Sequence, residues 1–298
     1  MTPVISIQNL SKTYTRSWRR KSVPALNDVS LTVGEGEVFG FIGPNGAGKS
    51  TTIKILTGAM RQSAGEARLF GIPVGEAASR AGLGYVPENP SLPDYLTPLE
   101  ILQMALRLHG RRIPDGRAHC MAWLEKLQLA QVAHKSVRSF SKGMAQRVAL
   151  AHALVAKPRL LILDEPLSGL DPIGRRDVVD LLAEYKRQGG TIFLTSHVLH
   201  DVERLADHFG LIHKGELLTL SSPNEIAGGQ QVFTVRSIGD AAIEGAVSEA
   251  SGRWTSEVSG QDLWQLLEKI RSSGHQLIEV KPTLSLESAF FRYLNSEK

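Results

Sequence analysis

Eight consecutive residues, Gly43-Pro44-Asn45-Gly46-Ala47-Gly48-Lys49-Ser50, carry the densest chemical signal in this 298-residue sequence. They fit the pattern G-x-x-x-x-G-K-[ST], in which glycines let the backbone curl so that its N–H groups point at phosphate oxygens. Lys49 has the reach for β- and γ-phosphates, and the Ser50 hydroxyl suits Mg²⁺. A helix opening directly after the loop adds the positive end of its dipole. A second signal lies far downstream, where the apolar run Leu160-Leu161-Ile162-Leu163 ends in Asp164-Glu165. Asp164 would hold the metal, usually through water. Glu165, at the strand tip, would orient and deprotonate an attacking water. The chemistry this implies is phosphoryl transfer.

These groups need strands that end at them and a helix that starts from the loop. Residues 38–42 form an apolar run around Gly40, and a helical pattern follows from Gly46 to Leu56, stopped by Gly58. Residues 4–10 alternate apolar and polar and predict a strand; 26–33 predict a second, closed by the turn Gly34-Glu35-Gly36-Glu37. Residues 160–163 and 191–195 are apolar in the way of strands buried in a parallel sheet, with an amphipathic helix over 177–187 between them. A Gly- and Pro-rich region spans 65–98. Helical periodicity then returns over 99–108, 120–129 and 144–156, which predicts a helical insertion at about 89–157. A helix over 198–206 and a hairpin over 211–220 close this part. Ser221-Ser222-Pro223 and Gly228-Gly229 read as a linker. The tail predicts strands at 232–236, 254–258 and 277–280 and helices at 241–250, 262–271 and 286–294. It carries no catalytic cluster, glycine-rich loop or metal-ligand spacing.

Composition sets the outer bounds. Apolar residues make up 42% and charged residues 21%, ordinary globular usage that excludes a disordered chain. Up to residue 228 there are 27 bases and 21 acids, and beyond it 7 and 9, so the net charges are +6 and −2. This mild excess is not the clustered basic face of a DNA binder. It suits polyphosphates or an anionic membrane surface equally well. Residues 16–21, with Arg16, Arg19, Arg20 and Lys21 around Trp18, predict a basic hairpin loop, solvated or in contact with membrane or partner. No apolar run approaches the roughly 20 residues that span a bilayer, and no signal peptide is expected. With one cysteine, Cys120, no internal disulfide forms, and a reducing compartment is the default.

Further motifs in this order resemble one family. Phe140-Ser141-Lys142-Gly143-Met144-Ala145-Gln146-Arg147 is similar to the signature of ATP-binding cassette (ABC) ATPases, and Ser168-Gly169-Leu170-Asp171 to their D-loop. His197, in Thr195-Ser196-His197, resembles their switch histidine, and Tyr14 lies where they place an aromatic that stacks on adenine. The resemblance runs from about residue 4 to 226. It implies an α/β P-loop NTPase cassette with a RecA-like core, an antiparallel β subdomain and a helical subdomain. The implied domains are a cassette over 4–228 and a small α+β extension over 229–298. It also implies an ATP site of Tyr14, Gly43, Pro44, Asn45, Gly46, Ala47, Gly48, Lys49, Ser50 and Thr51, with Mg²⁺ on Ser50 and Asp164. Glu165, His197 and Lys49 would be catalytic. Ser141, Lys142, Gly143 and Met144 would act on the ATP of a second cassette, and Asp171 would belong to the D-loop.

Three departures from the family pattern matter. The signature reads Phe-Ser-Lys-Gly-Met where Leu-Ser-Gly-Gly-Gln is usual, keeping the contacting Ser141 and Gly143. Glu88, in Gly84-Tyr85-Val86-Pro87-Glu88, replaces the lid glutamine, and a carboxylate there is unhelpful unless it faces Mg²⁺ or water. The basic loop also lengthens the gap between Tyr14 and the phosphate loop. The lysine-containing signature, the glutamate lid, the tail and Leu284-Ser285-Leu286-Glu287-Ser288-Ala289-Phe290 resemble ATPases of type-two ABC exporters. The resemblance thus implies ATP-driven translocation, with an export bias, and a separate permease received at Tyr95-Leu96-Thr97. It places the chain on the cytoplasmic face of the plasma (inner) membrane. The alternative is a non-transport ABC ATPase acting on nucleic acid or ribosomes. Such proteins usually carry two cassettes or a long coiled-coil or DNA-binding insertion, and this chain shows one cassette and neither insertion.

Overall fold

The computed structural model describes residues 2–14, 22–198, 202, 205–222, 225, 232–243, 245–248 and 252–282. It divides into two compact units, Met1–Leu220 and Ser221–Lys298. The expected linker boundary at 228/229, the basic loop at 16–21, part of the 198–206 helix, and the tail segment 284–294 lie outside the described residues.

In the first unit, β1 (Ile5–Tyr14), β2 (Val23–Val33), β4 (Ala64–Leu69) and β5 (Ile72–Pro73) form a sheet of order β2-β1-β4-β5, antiparallel throughout. The second sheet runs β10-β9-β3-β8-β7-β6. Its members are β3 (Val38–Ile42), β6 (Leu83–Val86), β7 (Leu160–Asp164), β8 (Thr191–Ser196), β9 (His208–His213) and β10 (Glu216–Ser221). The strands from β9 to β6 are parallel, so both faces are covered, and every residue of β3, β7 and β8 is buried. Gly40 must be glycine. A Cβ there would sit 2.3 Å from a side-chain methyl of the buried Val202. A core including Leu10, Val29, Phe41, Ile53 and Phe193 joins the two sheets.

The phosphate-loop helix α1 (Lys49–Leu56) follows β3, as its pattern predicts. Residues 65–98, read from the sequence as a Gly- and Pro-rich region, hold β4, β5 and β6 as well. Short strands broken by positive-φ glycines such as Gly65, Gly71 and Gly82 leave little period-2 signal. The insertion contains α2 (Pro98–Leu108), α3 (Gly116–Lys126) and α4 (Lys142–Val155). Thr97 and Glu100 form a capping box at the start of α2, with Pro98 in its first turn. Cys120 is a buried core residue of α3, and burial pushes its thiol pKa up. α5 (Pro172–Arg187) begins five residues earlier than its amphipathic stretch, because Asp171 caps it and Pro172 favours the first turn.

His152 on α4 supplies a pH prediction. Burial, reinforced by the charge of His109, lowers its pKa below the ordinary histidine value. The unfolded chain then binds that proton more readily than the folded chain. Stability is therefore full above about pH 6.5 and is lost as pH falls toward the lowered folded value. His152→Gln is expected to flatten the fall in melting temperature between about pH 7.5 and 5.5. An unchanged slope would assign the acid sensitivity elsewhere.

In the second unit, β11 (Val232–Ile238), β12 (Val247–Ser248), β13 (Arg253–Ser259) and β14 (Gln276–Pro282) form an antiparallel sheet of order β12-β13-β11-β14. Helix α6 (Leu263–Ser272) packs on it through Leu266 and Ile270, with Val235 and Ile243. The helix expected over 241–250 is not formed at its described positions. Ile243 enters the core from a non-helical segment, Gly245 has φ +83°, and Val247–Ser248 pair with β13.

Candidate phosphate and metal site

The site stands at the C-terminal ends of β3, β7 and β8, adjacent in the sheet. Gly43 follows β3, Asp164 ends β7, and Ser196 ends β8 immediately before His197. Gly48 has φ +117°, and a Cβ on it would lie 2.7 Å from the Ala25 carbonyl oxygen. No side chain caps α1, whose first-turn N–H groups are left for an anion. Lys49 is buried, and its ammonium donates to the carbonyls of Gly43 at 2.7 Å and Pro44 at 3.3 Å. The loop is thus shaped around its own lysine.

Asp164 Oδ1 accepts from Thr195 Oγ1 at 2.7 Å and lies 3.4 Å from Ser50 Oγ. These two oxygen groups suit a hard cation that takes its remaining ligands from phosphates and water. Among the described residues, no cluster of three or more His, Cys, Asp or Glu side chains is placed to hold a metal without a nucleotide. Burial, followed by the charge of Asp164, raises the Tyr85 pKa, so its phenol stays neutral.

Glu165 is buried and has φ +49°, a conformation that costs a non-glycine residue about 1–3 kcal/mol. Its Oε2 accepts from the His197 backbone N–H at 3.2 Å and from His197 Nδ1 at 2.8 Å. Because a carboxylate only accepts, Nδ1 carries the proton. Oε1 forms an ion pair with Lys49 Nζ at 3.4 Å but receives no hydrogen bond. That orphan oxygen is where a water proton can be received.

A pocket of about 200 Å³ is lined by Pro44, Gly48, Ser50, Glu88, Glu165 and His197, among others. Glu88 therefore stands beside the phosphate loop. Tyr14 is not among the lining residues; its hydroxyl lies 3.3 Å from Thr51 Oγ1 and donates to Met60 Sδ at 3.2 Å. The pocket lining does not include Ser141, Lys142, Gly143, Met144 or Asp171. Ser141 and Asp171 cap α4 and α5, accepting from Met144 and Gly174 N–H groups, and the tip at Ser141–Lys142 is exposed. Sequence reasoning gave no role to Thr195, which donates to Asp164 and accepts from the Glu165 N–H. It also missed Gln146, fully buried, whose side chain grips the Pro166 carbonyl at 3.2 Å. A polar residue ending a buried strand, or lying on the inner face of a helix, was the available signal.

A family profile described as ABC transporter matches residues 26–168. An ABC transporter ATP-binding protein of Synechocystis is 37% identical, covering 98% of this chain and 84% of its own length. A fluoroquinolones export ATP-binding protein of Mycobacterium tuberculosis is 36% identical, over 76% of this chain and 73% of its own. Among solved structures, a dimeric ATP-binding cassette in a post-hydrolysis state with ADP and Pi matches at TM-score 0.68 and 25% identity, over 73% of this chain and 98% of that one. Neither relative is named for nucleic acid.

Proposed function

The chain belongs to the ATP-binding cassette family and is an ATP-binding and ATP-hydrolysing subunit of an ABC transporter, and from that premise we propose how its residues divide the work. ATP lies on Gly43 through Thr51, with its adenine against Tyr14 and its phosphates held by Lys49 and the α1 N-terminus. Ser50 and Asp164 hold Mg²⁺, which when bound neutralises phosphate charge. Glu165 takes the proton of the attacking water, and His197 orients Glu165. Glu88 contacts metal or water at the pocket edge.

One observation carries the assembly reading. The signature tip at Ser141–Lys142 is exposed and takes no part in the pocket of its own chain. Two cassettes closing head to tail give each ATP one phosphate loop and one foreign signature, with Asp171 between them. Residues 4–228 form the cassette and 229–298 an accessory domain. A separate permease docks near the exposed Tyr95 on the cytoplasmic face of the membrane, and its cargo leaves the cell, as the name of the mycobacterial relative suggests.

Isolation of the tagged chain from detergent-solubilised native membranes tests this. A multi-span membrane protein in stoichiometric yield is expected. Recovery solely in the aqueous fraction, on ribosomes, would sink the permease reading and leave the ATPase intact.

A further inference from the structure

Glu165, at φ +49°, heads a turn that the Ser168 N–H closes by donating to the Glu165 carbonyl at 3.0 Å. A residue so strained keeps its conformation only where its surroundings fix it. From β8, Thr195 Oγ1 accepts from the Glu165 N–H at 3.1 Å. From the start of α4, two side chains reach the same turn. Gln146 Nε2 donates to the Pro166 carbonyl at 3.2 Å, and Lys142 Nζ donates to Ser168 Oγ at 3.3 Å.

Stability explains neither contact. Gln146 is fully buried, and its Oε1 lies buried without a hydrogen bond. An open buried acceptor costs about 1–3 kcal/mol, which offsets the roughly 0.5–1.5 kcal/mol that the bond to Pro166 contributes. A methionine of similar length would fill the space with neither. Lys142 is exposed, so solvent competes for its bond. Its direction is nevertheless set. The stem lies over Gly169, where φ is +74° and a Cβ would come 2.7 Å from Lys142 Cδ. The ammonium is thereby turned toward its own chain.

We propose that Gln146 and Lys142 are positioning residues for hydrolysis, clamping the turn that carries Glu165 so that its carboxylate meets the attacking water in one orientation. The proposal rests on the reading of Glu165 as the base. Neither side chain touches the reacting atoms. Gln146 acts through the Pro166 carbonyl, next to Glu165 in the chain, and Lys142 through Ser168, which closes the turn.

Steady-state ATPase assays and melting temperatures of the full-length chain test this. Gln146→Met is expected to lower kcat roughly 10-fold, well inside the roughly 10²-fold that a 1 Å misplacement costs. The KM for ATP should stay within about twofold and the melting temperature should not fall. Lys142→Met should lower kcat less, and Lys142→Arg, which keeps the charge and a donor, should restore it. In the Glu165→Gln background, Lys142→Met should leave ATP-driven pairing of the chains unmoved, because the lysine works within its own chain. An unchanged kcat in Gln146→Met overturns the proposal, as does a rise in KM at constant kcat. A kcat that falls only together with the melting temperature also overturns it, since that would mean a structural role. Should Gln146→Met not fold, Lys142→Met decides. Unchanged kcat there overturns the proposal, and so does lost pairing, which would place the lysine on the partner's nucleotide. Wild-type turnover in Glu165→Gln, with Gln146→Met impaired, would instead refute the reading of Glu165 as base.

Discussion

A Glu165→Gln chain is expected to bind ATP at least as well as the unmodified chain while its turnover falls by about 10²–10⁴-fold, the usual worth of a general base. Gln keeps the shape, and its amide oxygen still accepts the His197 Nδ1 bond, 2.8 Å long in the native site. It cannot take a proton. Removing the charge also releases Lys49 from its 3.4 Å ion pair, so the ammonium meets phosphate without a competitor. Hydrolysis would then no longer reopen the paired cassettes. A doubled mass that persists in ATP but not in ADP, seen by light scattering, is the expected signature. Wild-type turnover in this variant would remove Glu165 from its role as base.

Lys49→Ala is expected to give the opposite pattern, with nucleotide affinity reduced roughly 10- to 100-fold. Each charge-assisted bond is worth about 1.5–3 kcal/mol, and about 1.4 kcal/mol is a factor of ten. The empty protein should suffer too. Lys49 and Glu165 are both buried, and deleting one partner of such a pair strands the other, typically at about 3–5 kcal/mol. The carbonyls of Gly43 and Pro44 lose their donor at the same time. Adding Glu165→Gln to Lys49→Ala relieves the stranded charge but not the open carbonyls, and should therefore recover part of the melting temperature without restoring affinity. Fluorescent-nucleotide titration and calorimetry separate the two effects. Recovery of affinity in the double variant would contradict the phosphate-binding role of Lys49.

The chemistry was more legible in the sequence than the scaffold around it. Phosphate binding by a backbone loop demands glycines at fixed offsets, so Gly43, Gly46 and Gly48 announce themselves. The buried parallel strands β3, β7 and β8 are equally plain, because burial on both faces leaves an unbroken apolar run. Strands β4 to β6 were hidden, being short and interrupted by glycine turns. The 241–250 stretch misled because alanine-rich composition favours a helix locally, whereas Ile243 is needed in the core and Val247 in the sheet. Thr195 and Gln146 could not be assigned from spacing, since their partners Asp164 and Pro166 lie at distances set only by the fold.

The strand order β10-β9-β3-β8-β7-β6 has a consequence for the time at which the site comes into being. β3, which delivers the phosphate loop, pairs with β8 and β9 alone, both made about 150 residues later, or some 8–30 seconds at ordinary synthesis rates. The loop itself is tied to the β9–β10 hairpin, through Gly215 N–H to the Ala47 carbonyl at 2.9 Å. A nascent chain that has displayed its entire phosphate-binding motif therefore has no sheet to hold it. Nucleotide can act as a folding ligand only after nearly the whole first unit has left the ribosome.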